Sequence, residues 1–492
     1  MTENQSEIYL SINPPKEVIK LMDILLNRHF LAYIVGGAVR DSLMGFPVKD
    51  WDIATSATPE ETLTIFQDTL ARKHTLDDNF VKNGTVVVRS GKLEVEITTF
   101  RKEGGYDGRR PRNIVWTKDL VTDLSRRDFT INAIAWSKEK QLIDPFSGLK
   151  DIKNHIIRTV GETDVRFQED YLRMLRAIRF AIRYDFTIDK EIINCIRMDH
   201  KKILRLSKER ITDELNKMIH NNAKKSLDLL EESLLLDTLF PELSQIRVLN
   251  ILDVSNDYNS YQCIVNTIQE IQKRDYSLEL LWATIFHNIG ILEILESDNK
   301  DKNLLKIPKF SEKVTSTVLN RFSFSNKSKK QILKLIRYQN IPEKFFLEEM
   351  DDPTFRRDYF DWYSIVTKEF AEQPKTERKF LKNLLILIEC IIIGKFKVYP
   401  SEMLKKLEIF KKRSLKFMES KNFTRKPILN GHQLLKITNI NPGKEISIFK
   451  RNLLLWQNQI GHYPTINELF DYIKNEGYKV DFQALKKCME QE

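Results

Sequence analysis

The sequence predicts an α+β head followed by all-α domains, and two observations along the 492 residues support this division. The first 150 residues contain most of the strand-like segments and glycines, whereas from about Asp164 the hydrophobic period is helical and remains so. Strands first and helices afterwards are typical of an α+β domain with helical domains behind it. At roughly 150 residues per domain, the length allows three or four domains.

Composition and charge restrict the class of protein. Hydrophobic residues make up 41% and charged residues 30% of the chain, which is ordinary for a soluble protein with a packed core. The excess of basic over acidic residues, 79 − 69 = +10, is consistent with an anionic partner. The longest apolar run, 384–393, contains Glu389 and is too short to span a bilayer. We therefore expect no membrane segment. The four cysteines form no CxxC pair, so we also expect a cytoplasmic protein without disulfides.

Four strands and one helix are predicted in the head. The strand segments are 32–35, 51–55, 84–89 and 93–100. The last two flank Ser90-Gly91-Lys92, which is a natural hairpin turn. Gly36-Gly37 ends the first strand, and 38–44 can begin a helix. Glycines let backbone N–H groups approach a phosphate, and a helix N-terminus favours negative charge, so this turn is a candidate phosphate site.

Asp50 and Asp52 stand two residues apart at the start of a predicted strand, so their side chains leave the same face. Two carboxylates there suit Mg²⁺, which takes oxygen ligands from carboxylates, substrate phosphates and water, and a two-metal phosphoryl transfer needs such a site. Glu94 and Glu96 share one face of another strand, and spacing alone does not choose between them as a third ligand. The alternative is that Asp50 and Asp52 form only a solvated strand end.

Four signatures resemble those of the class II tRNA nucleotidyltransferase and poly(A) polymerase family, and they occur in the family's order. They are 36–45 with 49–55 (GGAVRDSLMG and KDWDIAT), 123–133 (DLSRRDFTINA), 169–181 (EDYLRMLRAIRFA) and 208–215 (KERITDEL). The resemblance implies a polymerase-β-like nucleotidyltransferase head with a mixed sheet, followed by all-α neck, body and tail domains. The implied bounds are 1–150, 151–222, 223–375 and 376–492.

The resemblance also implies roles for individual residues. Asp50 and Asp52 match metal ligands, and Glu96 matches the third catalytic carboxylate. The residues implied to hold the nucleotide are Gly36, Gly37, Arg40 and Arg127 for the triphosphate, Asp128 near the ribose, and Asp170 and Arg173 at the base. As an alternative, Asp128 would only brace Arg127 as a structural ion pair.

Asp170 and Arg173 lie three residues apart on a predicted helix, close enough to face one ligand together. Cytosine and adenine both present an amino donor beside a ring-nitrogen acceptor, whereas uracil and guanine present the reverse order. Because Asp only accepts and Arg only donates, the pair matches C and A and opposes U and G. The alternative is a helix-surface ion pair.

Arg176 and Arg179 continue the series at three-residue steps, and the turn of a helix prevents all of these side chains from pointing at the base. We interpret both as phosphate or primer contacts or as supports of the pocket wall. A solvent-facing Arg179 is the alternative.

The segment 100–111 is Gly-rich and mixed in charge, so it is predicted to be a surface loop, with Arg101, Arg109 and Arg110 as its candidate residues. It is either a connector or a lever that resets the pocket from C to A. In the family that the chain resembles, enzymes that add only CC tend to lack an intact loop here, so its presence argues against a CC-only enzyme.

The helical remainder offers two further candidates. His287-Asn288 resembles the His-Asp pair of metal-dependent phosphohydrolases, but Asn is a poor ligand, so we predict that His287 is a structural core residue. Lys426 ends a basic run that precedes 430–432 and 441–446, and Gly443 and Lys444 lie within the second of these segments, both of which resemble the family's tail that grips the tRNA elbow; a solvated basic face is the alternative.

The resemblance implies template-independent addition of CCA to the 3′ end of tRNA from CTP and ATP, with Mg²⁺ as cofactor and no membrane or obligate protein partner. The alternatives are an A-adding enzyme or poly(A) polymerase and, from another class, a catalytically silent RNA-binding protein. The sequence does not decide the oligomeric state, the preference for Mg²⁺ over Mn²⁺, or any role of His287-Asn288.

Overall fold

The computed structural model describes residues 12–69, 84–107, 110–139, 141–248, 260–296, 306–340, 362, 374–395, 404–405, 407–412, 426–460 and 463–490. The chain divides into two compact units, residues 1–244 with 321–323, and residues 245–320 with 324–492. In these described ranges no helix is both long and apolar enough to cross a membrane.

A mixed sheet organises the first unit. The strands are β1 (Ala32–Val35), β2 (Asp52–Thr55), β3 (Thr85–Ser90), β4 (Leu93–Thr99), β5 (Arg101–Asp107), β6 (Arg110–Trp116), β7 (Ala135–Trp136), β8 (Leu142–Ile143), β9 (Ile156–Ile157) and β10 (Thr187–Ile188). The sheet order is β3-β4-β2-β1-β7-β8, in which β2 and β4 are parallel and the other neighbours antiparallel. Strands β9 and β10 form a separate parallel pair. The predicted strands and the mixed sheet are confirmed.

The prediction of a surface loop over 100–111 is wrong for the residues that the structure describes there. Strands β5 and β6 pair as an antiparallel hairpin. The side chain of Glu103 on β5 is only 7% exposed, because it accepts hydrogen bonds from Arg101 Nε at 2.6 Å and Arg126 Nη1 at 3.1 Å. Paired charges therefore let a segment of mixed charge form a strand.

Short helices connect the strands, and longer helices follow the sheet. The helices that begin in the first unit are α1 (Lys16–Leu26), α2 (Gly37–Leu43), α3 (Pro59–Ile65), α4 (Leu120–Ser125), α5 (Gly148–Asn154), α6 (Thr163–Glu169), α7 (Leu172–Tyr184), α8 (Lys190–Asp199), α9 (Lys208–Glu232), α10 (Leu235–Leu239) and α11 (Pro241–Val248). Short 3-10 helices cover Gln67–Thr69, Thr130–Asn132 and His200–Arg205. Buried Val35, Ala54, Phe100 and Leu124 pack β1, β2 and α4 together. Helices α7 and α9 pack against each other.

The described secondary structure of the second unit consists of helices and turns, together with an isolated bridge between Thr438 and Val480. Its helices are α12 (Ser260–Gln272), α13 (Leu278–Phe286), α14 (Ile291–Glu296), α15 (Ile307–Asn320), α16 (Asn326–Arg337), α17 (Pro374–Lys395), α18 (Gly431–Ile437), α19 (Lys444–Ile460), α20 (Ile466–Asn475) and α21 (Phe482–Glu490). Leu434, Phe449, Leu469 and Leu485 are buried and join α18 to α21 around one core.

His287 is a core residue, as predicted. It follows α13 and is 3% exposed, and its Nδ1 lies 2.7 Å from the carbonyl oxygen of Thr284. Its Nε2 lies 3.9 Å from the Cys263 thiol. Burial lowers the pKa of His287 to about 4, although the Thr284 carbonyl opposes this shift. No group of three or more His, Cys, Asp or Glu side chains in the described ranges is arranged to hold a metal ion.

The lowered pKa of His287 predicts an acid-sensitive second unit. The unfolded chain takes up a proton near pH 6.5 and the folded chain only near pH 4, so stability is present above pH 6.5 and decreases as pH falls. We expect a loss of about 2 kcal/mol in the free energy of unfolding between pH 7 and pH 5, measured with denaturant. His287→Gln should lack this part of the pH dependence, and an equal dependence in both proteins would contradict the prediction.

Candidate active site

Two carboxylates converge where β2 and β4 run side by side. Asp52 is the first residue of β2 and is the register partner of Glu96 on the parallel strand β4. Neighbouring strands lie about 4.8 Å apart and paired residues point to one face, so the two carboxylates are close. Glu94, the alternative to Glu96, instead pairs with Arg89 at 2.5 Å, and both of their side chains are exposed.

The surroundings of Asp52 fit a divalent cation. The pKa of Asp52 is raised to about 6 by burial and by the charges of Glu96 and Asp50, against the opposing effect of Arg127. This concentration of negative charge would be relieved by a bound cation. Mg²⁺ needs only one or two protein carboxylates when substrate phosphates supply the other oxygens. Asp52 and Glu96 suit that arrangement, whereas Asp50 is exposed and precedes β2.

Gly36 allows the guanidinium of Arg127 to rest against the turn after β1. Gly36 has φ +70°, and a Cβ at this position would lie 2.7 Å from Arg127 Nη1. Arg127 also lies 3.6 Å from Asp123, and its buried Nε has no hydrogen-bond partner in the described structure. Burial lowers the pKa of Arg127, against the opposing charges of Asp123 and Asp52. A desolvated cation over a glycine turn is suited to an anion such as a phosphate.

Arg40 on α2 is 4% exposed. Its Nε donates to Asp41 at 2.8 Å, and its Nη1 donates to the side-chain oxygen of Asn132. The guanidinium also lies over the rings of Phe180 and Tyr184, 5.1 and 4.8 Å from their centres. Two hydrogen bonds and two aromatic faces therefore fix its orientation.

Asp128 is paired with Arg176 rather than with Arg127, so the alternative in which Asp128 braces Arg127 is wrong. Arg176 donates to one oxygen of Asp128 from Nε at 2.8 Å and from Nη2 at 2.5 Å. The amide of Asn132 donates to the other oxygen at 2.8 Å. Burial alone would raise the pKa of Asp128, but Arg176 and Asn132 lower it well below its usual range.

Asp170 and Arg173 do not lie on one helix, contrary to the sequence prediction. Asp170 has extended backbone (φ −158°, ψ 104°) after α6, and Arg173 lies in the first turn of α7. Nor do they pair with each other. Arg210 donates to both oxygens of Asp170, at 3.1 and 2.6 Å. Arg173 donates to Glu169 and to the carbonyl oxygens of Arg166 and Arg126, so the helix-surface ion pair is wrong.

Arg179 faces the interior, which excludes the solvent-facing alternative. It is 8% exposed, and its Nε donates to Glu214 of α9 at 2.5 Å. Its guanidinium lies 4.1 Å from the ring centre of Phe180. Arg179 therefore joins α7 to α9.

One pocket of about 560 Å³ brings most of these residues together. Its predicted members are Gly36, Gly37, Arg40, Asp52, Glu96, Arg127, Asp128, Asp170, Arg173, Arg176 and Arg179. Sequence reasoning assigned no role to Arg126, Asn132, Phe180, Arg183 and Arg210, which also line it. Four of these five lie within the quoted signatures, which was the signal available. Eight arginines and four carboxylates give the lining a charge of 8 − 4 = +4, which suits a polyanion.

Other predicted residues lie outside this pocket lining. Asp50 is absent from it, and Arg101 on β5 pairs with Glu103 instead. Arg109 lies outside the described residues, and only the backbone of Arg110 is described. The remaining candidates, Lys426, Gly443 and Lys444, are exposed residues of the second unit, and Gly443 has φ +105° directly before α19.

Two family models match the chain. Residues 32–158 match the poly A polymerase head domain, and residues 185–246 match the probable RNA and SrmB-binding site of polymerase A. The first match contains Gly36, Asp52, Glu96 and Arg127, and the second contains Arg210.

Curated relatives match over a similar length. The CCA-adding enzyme of Geobacillus thermodenitrificans is 44% identical over 223 residues, which are 45% of this chain and 53% of that protein. The CCA-adding enzyme of Listeria innocua is 45% identical over 216 residues, 44% of this chain and 53% of that protein. The matches thus span about half the length of these relatives.

Solved structures are similar over nearly the whole chain. The Bacillus stearothermophilus CCA-adding enzyme in complex with CTP has a TM-score of 0.58 at 25% identity, covering 97% of this chain and 98% of that one. The Thermotoga maritima CCA-adding enzyme complexed with tRNA has a TM-score of 0.56 at 19% identity, covering 94% and 96%, which is a likeness of fold. Residues 32–158 and 185–246 are therefore similar to the head and RNA-binding segments of poly(A) polymerases, in agreement with the resemblance that the motifs predicted.

Proposed function

We propose that this protein adds CCA to the 3′ end of tRNA without a template, using CTP and ATP and releasing pyrophosphate. The observation that carries the proposal is one basic pocket containing both a carboxylate pair that suits a divalent cation and the residues Asp170 and Arg173. The first group serves phosphoryl transfer and the second serves base selection. The protein would then be a nucleotidyltransferase of the cytoplasm, where its four cysteine thiols would stay reduced.

The comparisons support this choice of reaction and substrates. The curated relatives, which this chain matches over about half of their own length, are CCA-adding enzymes. Solved structures of similar fold include complexes with CTP, with ATP and with tRNA. We infer that the same three molecules are the substrates here.

Base selection would use the hydrogen-bonding capacity that Asp170 and Arg173 retain. A carboxylate has about four lone-pair sites, and those of Asp170 receive Arg210 twice and the backbone N–H of Leu172 once in the described structure. One acceptor site remains. The five N–H groups of Arg173 make three hydrogen bonds to described residues, which leaves two. An acceptor beside donors matches the amino group and ring nitrogen of cytosine and adenine.

Protein contacts would hold these side chains in place before the nucleotide arrives. Arg210 fixes the plane of the Asp170 carboxylate, and Glu169 fixes one edge of the Arg173 guanidinium. Uracil or guanine would place an acceptor against Asp170 and a ring N–H against Arg173, so buried groups would lose their partners. Such a mismatch is strongly rejected when the site is preorganised.

Phosphoryl transfer would begin when the primer 3′ hydroxyl attacks the α-phosphate of the bound nucleotide, and pyrophosphate would leave. Arg127 and the backbone at Gly36 would hold the triphosphate. A divalent cation, Mg²⁺ in this proposal, would be held by Asp52 and Glu96, with the negative charge of Asp50 nearby, and would activate the hydroxyl and neutralise triphosphate charge. The carboxylates must be ionised for this, and the raised pKa of Asp52 would fall when the cation binds.

The domain assignment remains part of the proposal. The head over 1–150 would carry catalysis, the neck over 151–222 nucleotide selection, the body over 223–375 support, and the tail over 376–492 binding of the tRNA elbow. Lys426, Gly443 and Lys444 would contact tRNA backbone phosphates. Recognition through the backbone suits an enzyme that accepts tRNAs of every sequence.

An A-adding enzyme or a poly(A) polymerase is the nearest alternative, and one assay separates the three. The protein receives tRNA lacking CCA, or lacking only the terminal A, with labelled CTP and ATP supplied separately and together. We expect two C residues and one A, followed by a stop. Addition of A alone, or of a long A tail, would identify the alternatives, and incorporation of neither nucleotide would favour a silent RNA-binding protein.

Removing the carboxylate at the first position of β2 should stop the reaction. We expect Asp52→Ala or Asp52→Asn to lower incorporation by at least about 100-fold because the metal site is lost, while tRNA binding is unchanged. The matched control is Glu94→Gln, an exposed carboxylate on the adjacent strand. Turnover retained in the Asp52 variants would contradict the metal assignment.

Removal of the Arg173 side chain should lower the selectivity among nucleotides more than it lowers overall activity. For Arg173→Ala we expect the preference for CTP and ATP over UTP and GTP to drop by about 100-fold, measured as ratios of kcat/KM. Arg197→Ala removes an arginine of α8 that does not line the pocket, so its ratios should match those of the parent protein. An unchanged preference in Arg173→Ala would refute the base-reading role.

Alanine variants at Gly36 and Gly161 separate the effect of backbone strain from the effect of displacing Arg127. Both have φ near +70°, but a Cβ at Gly161 meets no atom within 4 Å, whereas at Gly36 it meets Arg127. Each alanine variant should lose about 1–2 kcal/mol of stability. Only Gly36→Ala should also raise the KM for CTP and ATP, by about tenfold or more. Equal KM values in the two variants would count against triphosphate binding by Arg127.

A further inference from the structure

Asp41 is a buried carboxylate to which the proposed chemistry assigns no task. It follows Arg40 on α2 and is 7% exposed, and it does not line the pocket. A carboxylate at this depth is stable only when it is paired and hydrogen-bonded. The partners of Asp41 therefore indicate what it does.

Asp41 accepts hydrogen bonds from two helices. Its Oδ1 receives Arg40 through Nε at 2.8 Å, lies 2.7 Å from Arg40 Nη2, and receives the hydroxyl of Tyr184 on α7 at 2.7 Å. Its Oδ2 receives Nη2 of Arg183, also on α7, at 3.1 Å. Burial, with the hydrogen bond to Asp41, raises the pKa of the Tyr184 hydroxyl, so this group remains a donor at physiological pH.

These contacts determine where Arg40 points. Asp41 occupies the Nε and Nη2 edge of the guanidinium, Asn132 accepts from Nη1, and the ring of Tyr184 covers one face. Three of the five N–H groups are then used, and two remain. Arg40 Nη2 would lie 3.4 Å from a Cβ at Gly37, so the guanidinium lies against the glycine turn.

We propose that Asp41, held by Tyr184 and Arg183, is a positioning residue that aims Arg40 at the nucleotide triphosphate. The inference rests on the proposed function, because it takes the pocket to be the nucleotide site. Asp41 also balances the charge of Arg40, whose guanidinium lies over two aromatic rings. Without Asp41, Arg40 would lose the contact that fixes the Nε and Nη2 edge of its guanidinium, and the side chain would adopt several orientations.

The test compares nucleotide binding in three variants with that of the full-length parent protein. Asp41→Asn keeps the size of the side chain but replaces one acceptor by a donor. Tyr184→Phe removes only the hydroxyl that supports Asp41. The matched control is Asp151→Asn, since Asp151 is also buried, pairs with Arg158 at 2.9 Å, accepts the Thr130 hydroxyl at 2.7 Å, and does not line the pocket.

Dissociation constants for CTP and ATP are measured by calorimetry with Mg²⁺ present, together with thermal unfolding and steady-state kinetics. For Asp41→Asn we expect both constants and both KM values to rise about tenfold, by the same factor for each nucleotide. Turnover at saturating nucleotide and the preference over UTP and GTP should change less than about twofold. Tyr184→Phe should show the same pattern with about a threefold rise. Asp151→Asn should lose stability without any change in nucleotide affinity.

If Asp41 has only a structural role, Asp41→Asn will behave like Asp151→Asn, with a lower unfolding temperature and unchanged affinities for CTP and ATP. This result would overturn the proposal. If Asp41→Asn does not fold, Tyr184→Phe decides alone, because weakened binding supports the proposal and parental binding refutes it. The outcome for the proposed function is separate. A parent protein that binds CTP and ATP but extends no tRNA would refute CCA addition and leave the binding comparison intact.

Discussion

The site depends on the pairing of arginines with carboxylates that come from distant parts of the chain. Arg176 reaches Asp128, 48 residues away, and Arg210 reaches Asp170, 40 residues away. Each pair is largely withdrawn from water, where ionic groups are stable only with good geometry and satisfied hydrogen bonds. These pairs neutralise part of the arginine charge and leave a net positive pocket. The remaining charge is available for an anionic ligand.

Pairing also explains how a few side chains could recognise a base without a template. Flexible Asp and Arg side chains would adapt to any base edge and select none. The contacts of Asp170 with Arg210, and of Arg173 with Glu169 and two carbonyl oxygens, remove that freedom. What remains is a small set of donors and acceptors in fixed directions, which is the requirement for discrimination by unpaired buried groups.

The hydrophobic period was sufficient to predict β1 to β4 of the six-stranded sheet and the change to helices near Asp164, but not the two-residue strands β7 and β8. The pocket residues lie mostly in motifs whose composition is unusual enough to be recognised. Their partners could not be predicted, because an ion pair such as Arg179 with Glu214 joins residues 35 positions apart and depends on how α7 packs on α9. The β5–β6 hairpin was missed for the same reason, since Glu103 is neutralised by Arg126, 23 residues away.

Asn132 shows why residues without a recognisable charge pattern belong to the site. Arg176 of α7 and the amide of Asn132 both donate to the carboxylate of Asp128. The side-chain oxygen of Asn132 in turn accepts from Arg40. Arg40 binds Asp41, which accepts from Tyr184 on α7 again, so the hydrogen bonds close a ring. The amide side chain of Asn132 serves both purposes, because it can donate to a carboxylate and accept from a guanidinium simultaneously. The ring links the glycine turn, the second signature and α7, so a shift in any of the three would disturb its hydrogen bonds to the others.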